Sequence, residues 1–300
     1  MDQQYSQLTR ADFYSQIYHH DEIYPPPSES ESVFLEVMSG CRYGKCLFCD
    51  FRRDKTEIYG LPDIERQLGL LRVIEDERNR MHFLGCNPFF LSSEILGFFC
   101  ELVKHYLPKI TEISMYARAD DINAKSDEEL RMLREAGVTD LHVGLETGSD
   151  TILAFQNKGE TAAEIETALN RLEAAGIRYF VTMIPGLGGR KYSEEHAVKT
   201  AEMLSRLHPE MIWCLSLKIW ENTPLHQMVQ NGTFDPLTPM EILKEERDMV
   251  SRLRMTKPCR FIDSTVLQKY TVSATLPMGK ERLLRAIDQL MEQEEAGLLP

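Results

Sequence analysis

The sequence has no uninterrupted apolar run near the roughly 20 residues that a membrane-spanning helix requires. Its first residues, MDQQYSQLTRADF, are polar, whereas a secretory signal peptide is basic and then apolar. Basic residues are also scarce, since 34 Lys and Arg stand against 47 Asp and Glu. Because nucleic-acid phosphates bind chiefly to Lys and Arg, we do not expect nucleic acid as a partner. The missing apolar run and signal peptide lead us to expect no membrane partner and a cytoplasmic location.

The sequence also lacks the even, regularly spaced cysteines of a secreted disulfide framework. Three of its seven cysteines lie within nine positions, in SGCRYGKCLFCDF at 39–51, and no fourth cysteine is nearby. These three are Cys41, Cys46 and Cys49. The others are scattered, and because a buried free cysteine behaves as a small apolar residue, we expect a core role for three of them. Those three are Cys100, Cys214 and Cys259. The remaining cysteine, Cys86, lies in the predicted turn FLGCNP at 83–88.

Short segments rich in β-branched and aromatic residues alternate with longer segments of helical period, in six units. The predicted strands are VFLEVM (33–38), MHFLG (81–85), EISMYAR (112–118), DLHVGLE (140–146), RYFVTMI (178–184) and MIWCLSLKIW (211–220). The predicted helices between them are PDIERQLGLLRVIEDERN (62–79), SSEILGFFCELVKHYL (92–107), SDEELRMLREAG (126–137), ETAAEIETALNRLEAAG (160–176) and SEEHAVKTAEMLSRL (193–207).

Strands joined by helical crossovers run parallel, so the pattern predicts an α/β fold, either a partial barrel or an open doubly wound sheet. Residues 1–32 form a polar extension, 33–236 the core, and 237–300 a C-terminal extension that packs on the core. That last segment holds two helices and the strand-like RFIDSTVL (260–267). In both folds the active site lies at the carboxyl edge of the sheet, and the cysteine loop directly follows the first strand.

Three clustered cysteines suit two kinds of metal centre. A structural zinc site needs a fourth ligand, for which Asp50 or His82 is available. A cubane [4Fe-4S] cluster held by three cysteines leaves its fourth iron open to a ligand from outside the protein. The residues alone leave both readings open, with ordinary buried thiols as a third, although the absence of a fourth nearby cysteine favours the cluster.

At this point the sequence resembles the radical S-adenosylmethionine (radical SAM) superfamily, over residues 33 to about 290. The resemblance is to the class of oxygen-independent coproporphyrinogen oxidases, methylthiotransferases and the elongator catalytic subunit. It implies a partial (β/α)6 TIM-like barrel with an N-terminal extension and a C-terminal helical cover. It also implies a [4Fe-4S] cluster on Cys41, Cys46 and Cys49, whose open iron is chelated by S-adenosylmethionine.

The spacing of the cysteines departs from the usual pattern of the superfamily. The first gap has four residues where three are usual, and Gly44 can absorb the extra residue because glycine adopts positive φ. Phe48, just before the last cysteine, matches the aromatic position that relatives place against the adenine ring.

Three further motifs follow in the expected order. FLGCNP (83–88) resembles the turn whose backbone contacts the methionine end of the cofactor, which implicates Gly85, Cys86 and Asn87, although Cys86 and Asn87 replace the usual residues and an ordinary tight turn is the alternative. VTMIPGLGG (181–189) resembles the stretch that lines the adenine, which implicates Ile184 and Gly186. IWENTPL (219–225) resembles the end of the sixth strand, which faces the substrate.

Two charged residues have both a functional and a structural interpretation. VGLETGSD (143–150), followed by NKG (157–159), resembles the fourth-strand motif in which Glu146 points toward the cofactor, but Glu146 could instead cap the helix that begins near Asp150. Arg118, at the end of the third strand, could bind the cofactor carboxylate or pair with Asp120 or Asp121.

The expected function is therefore that of a radical SAM enzyme. The reduced cluster would cleave S-adenosylmethionine to methionine and a 5'-deoxyadenosyl radical, which abstracts hydrogen from a small organic or peptide substrate. The resemblance also implies an external electron donor such as flavodoxin or ferredoxin. The alternative is a regulatory or scaffold protein that holds zinc on the same cysteines. The sequence does not specify the substrate or the type of reaction.

Overall fold

The computed structural model describes residues 15–19, 25–53, 55–74, 77–264 and 271–298. Most of the predicted polar leader, at 1–14 and 20–24, lies outside these residues. Within the described ranges the strands are β1 (Val33–Glu36), β2 (Met38–Ser39), β3 (Glu57–Ile58), β4 (Arg80–Leu84), β5 (Glu112–Ala117), β6 (Val138–Glu146), β7 (Arg178–Met183), β8 (Met211–Cys214), β9 (Cys259–Asp263) and β10 (Val272–Leu276).

From residue 61 onward, the α-helices of the described residues match the predicted helical segments and add short helices between them. They are α1 (Leu61–Ile74), α2 (Ser93–Tyr106), α3 (Ala119–Asn123), α4 (Asp127–Ala136), α5 (Asp150–Phe155), α6 (Ala162–Ala174), α7 (Gly189–Leu204), α8 (Pro224–Gln230), α9 (Pro239–Arg252) and α10 (Lys280–Glu295). Across these residues every helix is too short or too polar to traverse a bilayer.

The strand order of the main sheet distinguishes between the two folds that the sequence left open. The order is β1-β4-β5-β6-β7-β8-β9-β10, and every neighbouring pair is parallel except β9 with β10. Each successive strand therefore joins on the same side of the one before it. A doubly wound sheet reverses direction at a switch point, so the winding is that of a partial barrel, as expected.

One prediction about the chain after residue 210 was wrong in detail, and one segment does more than was expected of it. The sixth strand was predicted over 211–220, but β8 ends at Cys214 and residues 215–220 continue as irregular chain. The C-terminal extension was expected to supply a helical cover, yet it also widens the sheet, because β9 pairs with β8 and β10 pairs with β9. Pairing between strands that are distant in sequence satisfies the hydrogen bonds of their backbone groups. Local periodicity does not show which strands will pair.

The N-terminal extension contributes a buried charged residue to the barrel. Pro27–Glu29 forms a short 3-10 helix, and the Glu29 carboxylate accepts hydrogen bonds from Arg80 at 2.9 Å and from the ring of His142 at 2.7 Å. Arg80 also pairs with Asp140. Because Arg80 begins β4 and Asp140 lies near the start of β6, this ion-pair network closes the amino-terminal end of the barrel, opposite the cysteine loop.

Candidate active site

The cysteine loop lies at the carboxyl edge of the sheet, where the sequence predicted it. β2 and β3 pair antiparallel, with Met38 opposite Ile58, and so close the loop between them. The hydroxyl of Ser39 donates a further hydrogen bond to the carbonyl oxygen of Lys55, at 3.3 Å. All three cysteines of the loop are unpaired and partly exposed.

The three thiols are electrostatic neighbours. Burial, together with the charges of Cys46 and Cys41 and against a backbone hydrogen bond from Phe51, raises the pKa of Cys49 to about 12. Neighbouring thiolates need a positive group to be stable, and an iron–sulfur cluster supplies one. Donor atoms on one ion lie close together, but in the described part of the chain these three Sγ atoms do not form a group within 4.8 Å. Three thiolates suit a cubane cluster, which leaves its fourth iron open to a ligand from outside the protein.

Hydrogen bonds to backbone carbonyl oxygens, two of them donated by side chains, fasten the cysteine loop to the turn that follows α5. The hydroxyl of Tyr43 donates to the carbonyl oxygen of Asn157 at 2.8 Å, and the Asn157 amide donates to the carbonyl oxygen of Lys45 at 3.0 Å. The amide of Leu47 donates to the carbonyl oxygen of Gln156 at 2.9 Å. The loop is thus held by a segment more than 100 residues away in sequence.

Two glycines permit this arrangement. Gly44 has φ +57°, so the positive φ expected from the extra loop residue is confirmed. Gly159 has φ +75°, and a Cβ there would overlap the ring and hydroxyl of Tyr43. Glycine is therefore needed at Gly159 both for its backbone conformation and for the close approach of the loop.

Two cations lie beside Cys46. Lys158 is buried, and its ammonium donates to the Glu160 carboxylate at 2.8 Å. Arg118 is buried as well. The pKa of the Cys46 thiol is raised, chiefly by burial, while the charges of Lys158 and Arg118 act to lower it. Sequence reasoning noticed NKG as a motif but assigned Lys158 no role. The available signal was a lysine in a tight turn next to a strand-end carboxylate.

Arg118 makes one of the two kinds of contact that the sequence left open. Its Nε donates to Asp120 at 3.0 Å, as the pairing alternative stated, but the side chain is buried instead of lying on the surface. Its Nη2 also donates to the carbonyl oxygen of Lys158 at 2.9 Å, and the guanidinium stacks on the Tyr43 ring, 4.1 Å from the centroid. Contact with a cofactor carboxylate stays a prediction.

Glu146 does not cap a helix, because the Ser149 side chain is the group that accepts from the Ile152 amide at the start of α5. Glu146 ends β6 with φ +64°, a conformation that a non-glycine residue rarely adopts. Its Oε2 accepts a 2.9 Å hydrogen bond from Thr182. Burial raises the pKa of Glu146, while the nearby charge of Lys158 lowers it. The Glu146 carboxylate therefore lies on the side of the cysteine loop where Lys158 is found.

The FLGCNP turn lies against the strand that leads into the cysteine loop. Gly85 has φ +139°, and a Cβ there would overlap the Met38 side chain. Cys86 is partly exposed. Asn87 is buried, and its amide donates to the Asp121 carboxylate at 2.6 Å, so this side chain ties the turn to α3. The contacts of all three residues with a cofactor stay predictions.

Phe48 and Ile184, both predicted to line the adenine, belong to one small apolar cluster with buried Ile152 and Leu187. The sequence placed them 136 positions apart, and the fold brings them together. The amide of Ile184 donates to the carbonyl oxygen of Glu146 at 3.0 Å, which links this apolar cluster to the strand-end carboxylate.

The Gly-rich turn has a support that sequence reasoning missed. Gly186 has φ +86°, and its amide donates at 2.7 Å to Glu245, a buried residue of α9. Burial raises the pKa of Glu245 to about 7, against the lowering effect of hydrogen bonds from Ser193 and Gly186. The sequence of α9 is rich in charged residues and lies some sixty residues from Gly186, so the local sequence pattern does not predict this contact.

The two residues proposed as a fourth zinc ligand have other hydrogen-bond partners. Asp50 accepts a hydrogen bond from the Asn222 amide, and His82 is buried inside the barrel, where Nδ1 is 2.9 Å from the Ser114 hydroxyl. His82 clusters with Glu29 and His142. The sequence showed no histidine pair with ligand spacing, because His82 on β4 and His142 on β6 meet only in the folded barrel, with β5 between their strands. Cys100, Cys214 and Cys259 are buried, as expected.

The fold is a singly wound partial α/β barrel, and three unpaired cysteines lie on the first loop of its carboxyl edge. This is the architecture of barrel enzymes that bind an iron–sulfur cluster. Residues 35–204 match the family described as the Radical SAM superfamily. That is more than half of the chain, and the protein belongs to this superfamily. It is therefore an enzyme of the family that uses a [4Fe-4S] cluster and S-adenosylmethionine, as the sequence predicted, and the zinc alternative has no support.

Two curated relatives are similar to this chain. The heme chaperone HemW of Bacillus subtilis (strain 168) is 23% identical over 213 residues, covering 68% of this chain and 55% of that protein. The tRNA-2-methylthio-N(6)-dimethylallyladenosine synthase of Bordetella petrii is 24% identical over 233 residues, covering 74% of this chain and 46% of that protein. The chain thus spans about half the length of the curated relatives it matches.

Solved structures share the fold at low identity. Coproporphyrinogen III oxidase (HemN) from Escherichia coli aligns with TM-score 0.55 and 15% identity over 82% of this chain and 56% of that chain. Methylornithine synthase (PylB) aligns with TM-score 0.53 and 17% identity over 81% and 69%. These likenesses establish the barrel and leave the substrate open.

Proposed function

We propose that this protein holds a [4Fe-4S] cluster on Cys41, Cys46 and Cys49 and acts on a small organic or peptide substrate by hydrogen abstraction. When bound and reduced, the cluster supplies the electron that cleaves S-adenosylmethionine to methionine and a 5'-deoxyadenosyl radical. The observation that carries the proposal is the single loop with three free, mutually interacting thiols at the carboxyl edge of the barrel. Active sites of such barrels lie at this edge.

The electrostatics of the loop support a negatively charged centre. Three thiolates bring negative charge into a partly buried site, and Lys158 and Arg118 stand beside Cys46 to offset it. Their own carboxylate partners, Glu160 and Asp120, keep both cations charged and fixed in place. Paired buried charges are stable only when their hydrogen bonds are satisfied, and here they are.

The groups expected to bind S-adenosylmethionine surround the same loop. Phe48 and Ile184 supply an apolar contact suited to the adenine ring. Glu146 ends β6 beside Lys158, and a carboxylate there can accept hydrogen bonds from ribose hydroxyls. Gly85 lets its turn pass close to Met38, which leads into the cysteine loop. Backbone atoms of this turn would contact the methionine end of S-adenosylmethionine. Arg118 contributes charge and, in our proposal, a donor to the cofactor carboxylate.

The chain itself shields this centre. The segment 219–225, which we propose faces the substrate, contacts the cysteine loop through the Asn222 amide on Asp50. The Leu225 amide also donates to the carbonyl oxygen of Leu47 at 3.1 Å. Closing a site in this way excludes water and limits side reactions of reactive species. An enzyme of this kind also needs a one-electron donor, for which flavodoxin or ferredoxin is our candidate, and a reducing compartment such as the cytoplasm.

The proposal is tested by anaerobic reconstitution with iron and sulfide, reduction with dithionite and incubation with S-adenosylmethionine. Chromatography should show 5'-deoxyadenosine and methionine in equal amounts, and Cys46→Ala should abolish both, whereas the matched core variant Cys259→Ala should retain them. Wild-type protein that carries a verified reduced cluster and produces neither compound would contradict the proposal. The substrate is then sought as the metabolite or peptide that exchanges deuterium with 5'-deoxyadenosine.

A further inference from the structure

We propose that Cys214, Glu246 and Asp263, here called the buried triad, bind one divalent transition-metal ion such as zinc. The inference goes beyond the proposed function, because these residues belong to β8, α9 and β9 and not to the cysteine loop. The Cys214 Sγ and one oxygen from each carboxylate lie within 4.8 Å of one another. A metal ion here would join the C-terminal extension to the barrel strand β8.

Strand pairing places two members of the triad side by side. Cys214 ends β8 and Asp263 ends β9, and the two residues are partners across the parallel ladder. Because alternate residues of a strand share a face, Cys214 lies on the face of Ile212, and Asp263 lies on the face of Phe261. Cys214, Ile212 and Phe261 all belong to the main hydrophobic core. The triad therefore lies in the layer between the sheet and its covering helices.

Glu246 occupies a position of α9 at which the helical period predicts an apolar residue. Residues three and four apart share one face of a helix, and Leu243, Met249 and Val250 are at these distances from Glu246. All four side chains are fully buried. A carboxylate in this apolar stripe costs free energy unless it gains a partner.

That partner is missing among the described residues, since neither oxygen of Glu246 accepts a hydrogen bond from them. Asp263, which faces Glu246, is a second carboxyl group and donates no hydrogen bond when it is ionised. A fully buried carboxylate that points at another carboxylate and a thiol has the surroundings of a metal ligand.

The charges around the triad are all of one sign. Burial and the Asp263 carboxylate raise the pKa of Glu246 well above its ordinary value. Burial and the charges of Glu246, Asp263 and Glu245 raise the pKa of the Cys214 thiol. In the part of the chain that the structure describes, no Lys, Arg or His contributes to either shift. A bound dication would supply the positive charge and allow all three groups to ionise.

The donor set selects among metal ions. One thiolate with two carboxylates suits zinc, whereas Mg²⁺ and Ca²⁺ prefer oxygen ligands alone. With bond lengths of about 2.0 to 2.3 Å, the ligands of a tetrahedral zinc lie roughly 3.4 to 3.6 Å apart. Donor atoms that are already within 4.8 Å reach this separation by small side-chain rotations. A carboxylate that binds through both oxygens would provide the fourth bond.

A metal ion on the triad would also hold the support of the Gly-rich turn in place. Glu246 directly follows Glu245, whose carboxylate accepts the 2.7 Å hydrogen bond from the Gly186 amide. α9 packs on α7 and α10, and the triad would fix its third side to the sheet.

The first test measures zinc binding to cluster-loaded protein, in which the loop cysteines are already ligated. After EDTA treatment, equilibrium dialysis against ZnCl₂ and elemental analysis give the amount of bound zinc and its dissociation constant. Wild type should bind one zinc per chain. Glu246→Gln should bind it more than about a hundredfold more weakly, since loss of outer-shell partners alone costs roughly 10- to 100-fold. The matched control Glu245→Gln, the adjacent buried carboxylate, should bind zinc as wild type does.

The second test identifies the ligands by X-ray absorption fine structure at the zinc edge. We expect one sulfur at about 2.3 Å and the remaining ligands to be oxygens at about 2.0 to 2.2 Å. Cys214→Ser, which changes the side chain little in size, should remove the sulfur contribution. Zinc on the cysteine loop would show two or three sulfurs, so the two sites are distinguished even in protein that lacks the cluster.

Three results would overturn the inference. They are equal zinc affinity in wild type and Glu246→Gln, a sulfur contribution that Cys214→Ser leaves unchanged, and folded wild type that binds no zinc. The last result would mean that Glu246 and Asp263 are neutralised by a shared proton. Circular dichroism establishes that each variant is folded, and Glu246→Gln favours folding because the amide keeps the shape of the side chain without its charge.

Discussion

The hydroxyl of Tyr43 donates a 2.8 Å hydrogen bond to the carbonyl oxygen of Asn157, which lies 114 residues further along the chain. Tyr43 stands between the first two cysteines of the loop, and Arg118 stacks on its ring. The position of the cysteines therefore depends on a turn that follows the fourth barrel strand. Changes in that turn should affect the metal centre without touching a cysteine.

Gly159 and Gly176 provide a matched test of this dependence. Their φ angles are +75° and +73°, but a Cβ at Gly159 would overlap Tyr43, whereas one at Gly176 would meet nothing within 4 Å. Each Gly→Ala variant should lose about 1 kcal/mol of unfolding free energy from the left-handed backbone. Only Gly159→Ala should also lose iron after reconstitution. Equal iron content in the two variants would show that the Tyr43 contact does not position the loop.

The cysteine assignment predicts two classes of variant. Cys41→Ala, Cys46→Ala and Cys49→Ala should each prevent cluster assembly, because three thiolates are the minimum that hold a cubane with one open iron. Cys100→Ala and Cys259→Ala should retain it, since both residues are buried in the core. Iron and sulfide analysis after anaerobic reconstitution measures the difference. Loss of the cluster in Cys259→Ala, with its retention in Cys41→Ala, would relocate the site.

Glu146 and Arg118 are predicted to bind different parts of S-adenosylmethionine. A hydrogen bond to a charged group contributes about 1.5 to 3 kcal/mol, so Glu146→Gln or Arg118→Ala should raise the dissociation constant roughly ten- to a hundredfold. Anaerobic titration of cluster-loaded protein measures it, with the exposed Glu202→Gln as control. Unchanged affinity in both variants would mean that other groups hold the cofactor, and that Arg118 serves only its contacts with Tyr43 and Asp120.

Glu245 predicts a pH dependence of stability. Burial raises its pKa to about 7 in the folded protein, above the ordinary 4.5. The folded protein therefore keeps a proton that the unfolded chain has already released, so the free energy of unfolding falls as pH rises from about 4.5 to about 7. Glu245→Gln cannot ionise and still offers Gly186 an acceptor oxygen, so it should remove about 3 kcal/mol of that decline.

Urea unfolding at pH 5 and at pH 7.5 tests this expectation, with Glu202→Gln as the exposed control. The difference between the two pH values should shrink in Glu245→Gln and stay as in wild type in the control. Parallel pH profiles for all three proteins would show that Glu245 titrates normally and that its burial does not alter its ionisation.

Much of the fold follows from local pattern. The alternation of strand and helix predicted the six units of the barrel, and the parallel crossovers placed the cysteine loop at the carboxyl edge. Errors occurred where the tertiary structure overrides local preference. The run at 211–220 is strand-like in composition, yet only Met211–Cys214 finds partners on both sides, in β7 and β9.

By itself, then, the sequence determined the alternation, the three cysteines and the motifs, because these depend on spacing along the chain. The tertiary structure decided which distant groups meet: Lys158 beside Cys46, Glu245 under Gly186, and Glu29 between Arg80 and His142. Such contacts join residues from non-consecutive strands, helices and loops. Their positions are set by sheet order and helix packing, and local periodicity carries no information about either.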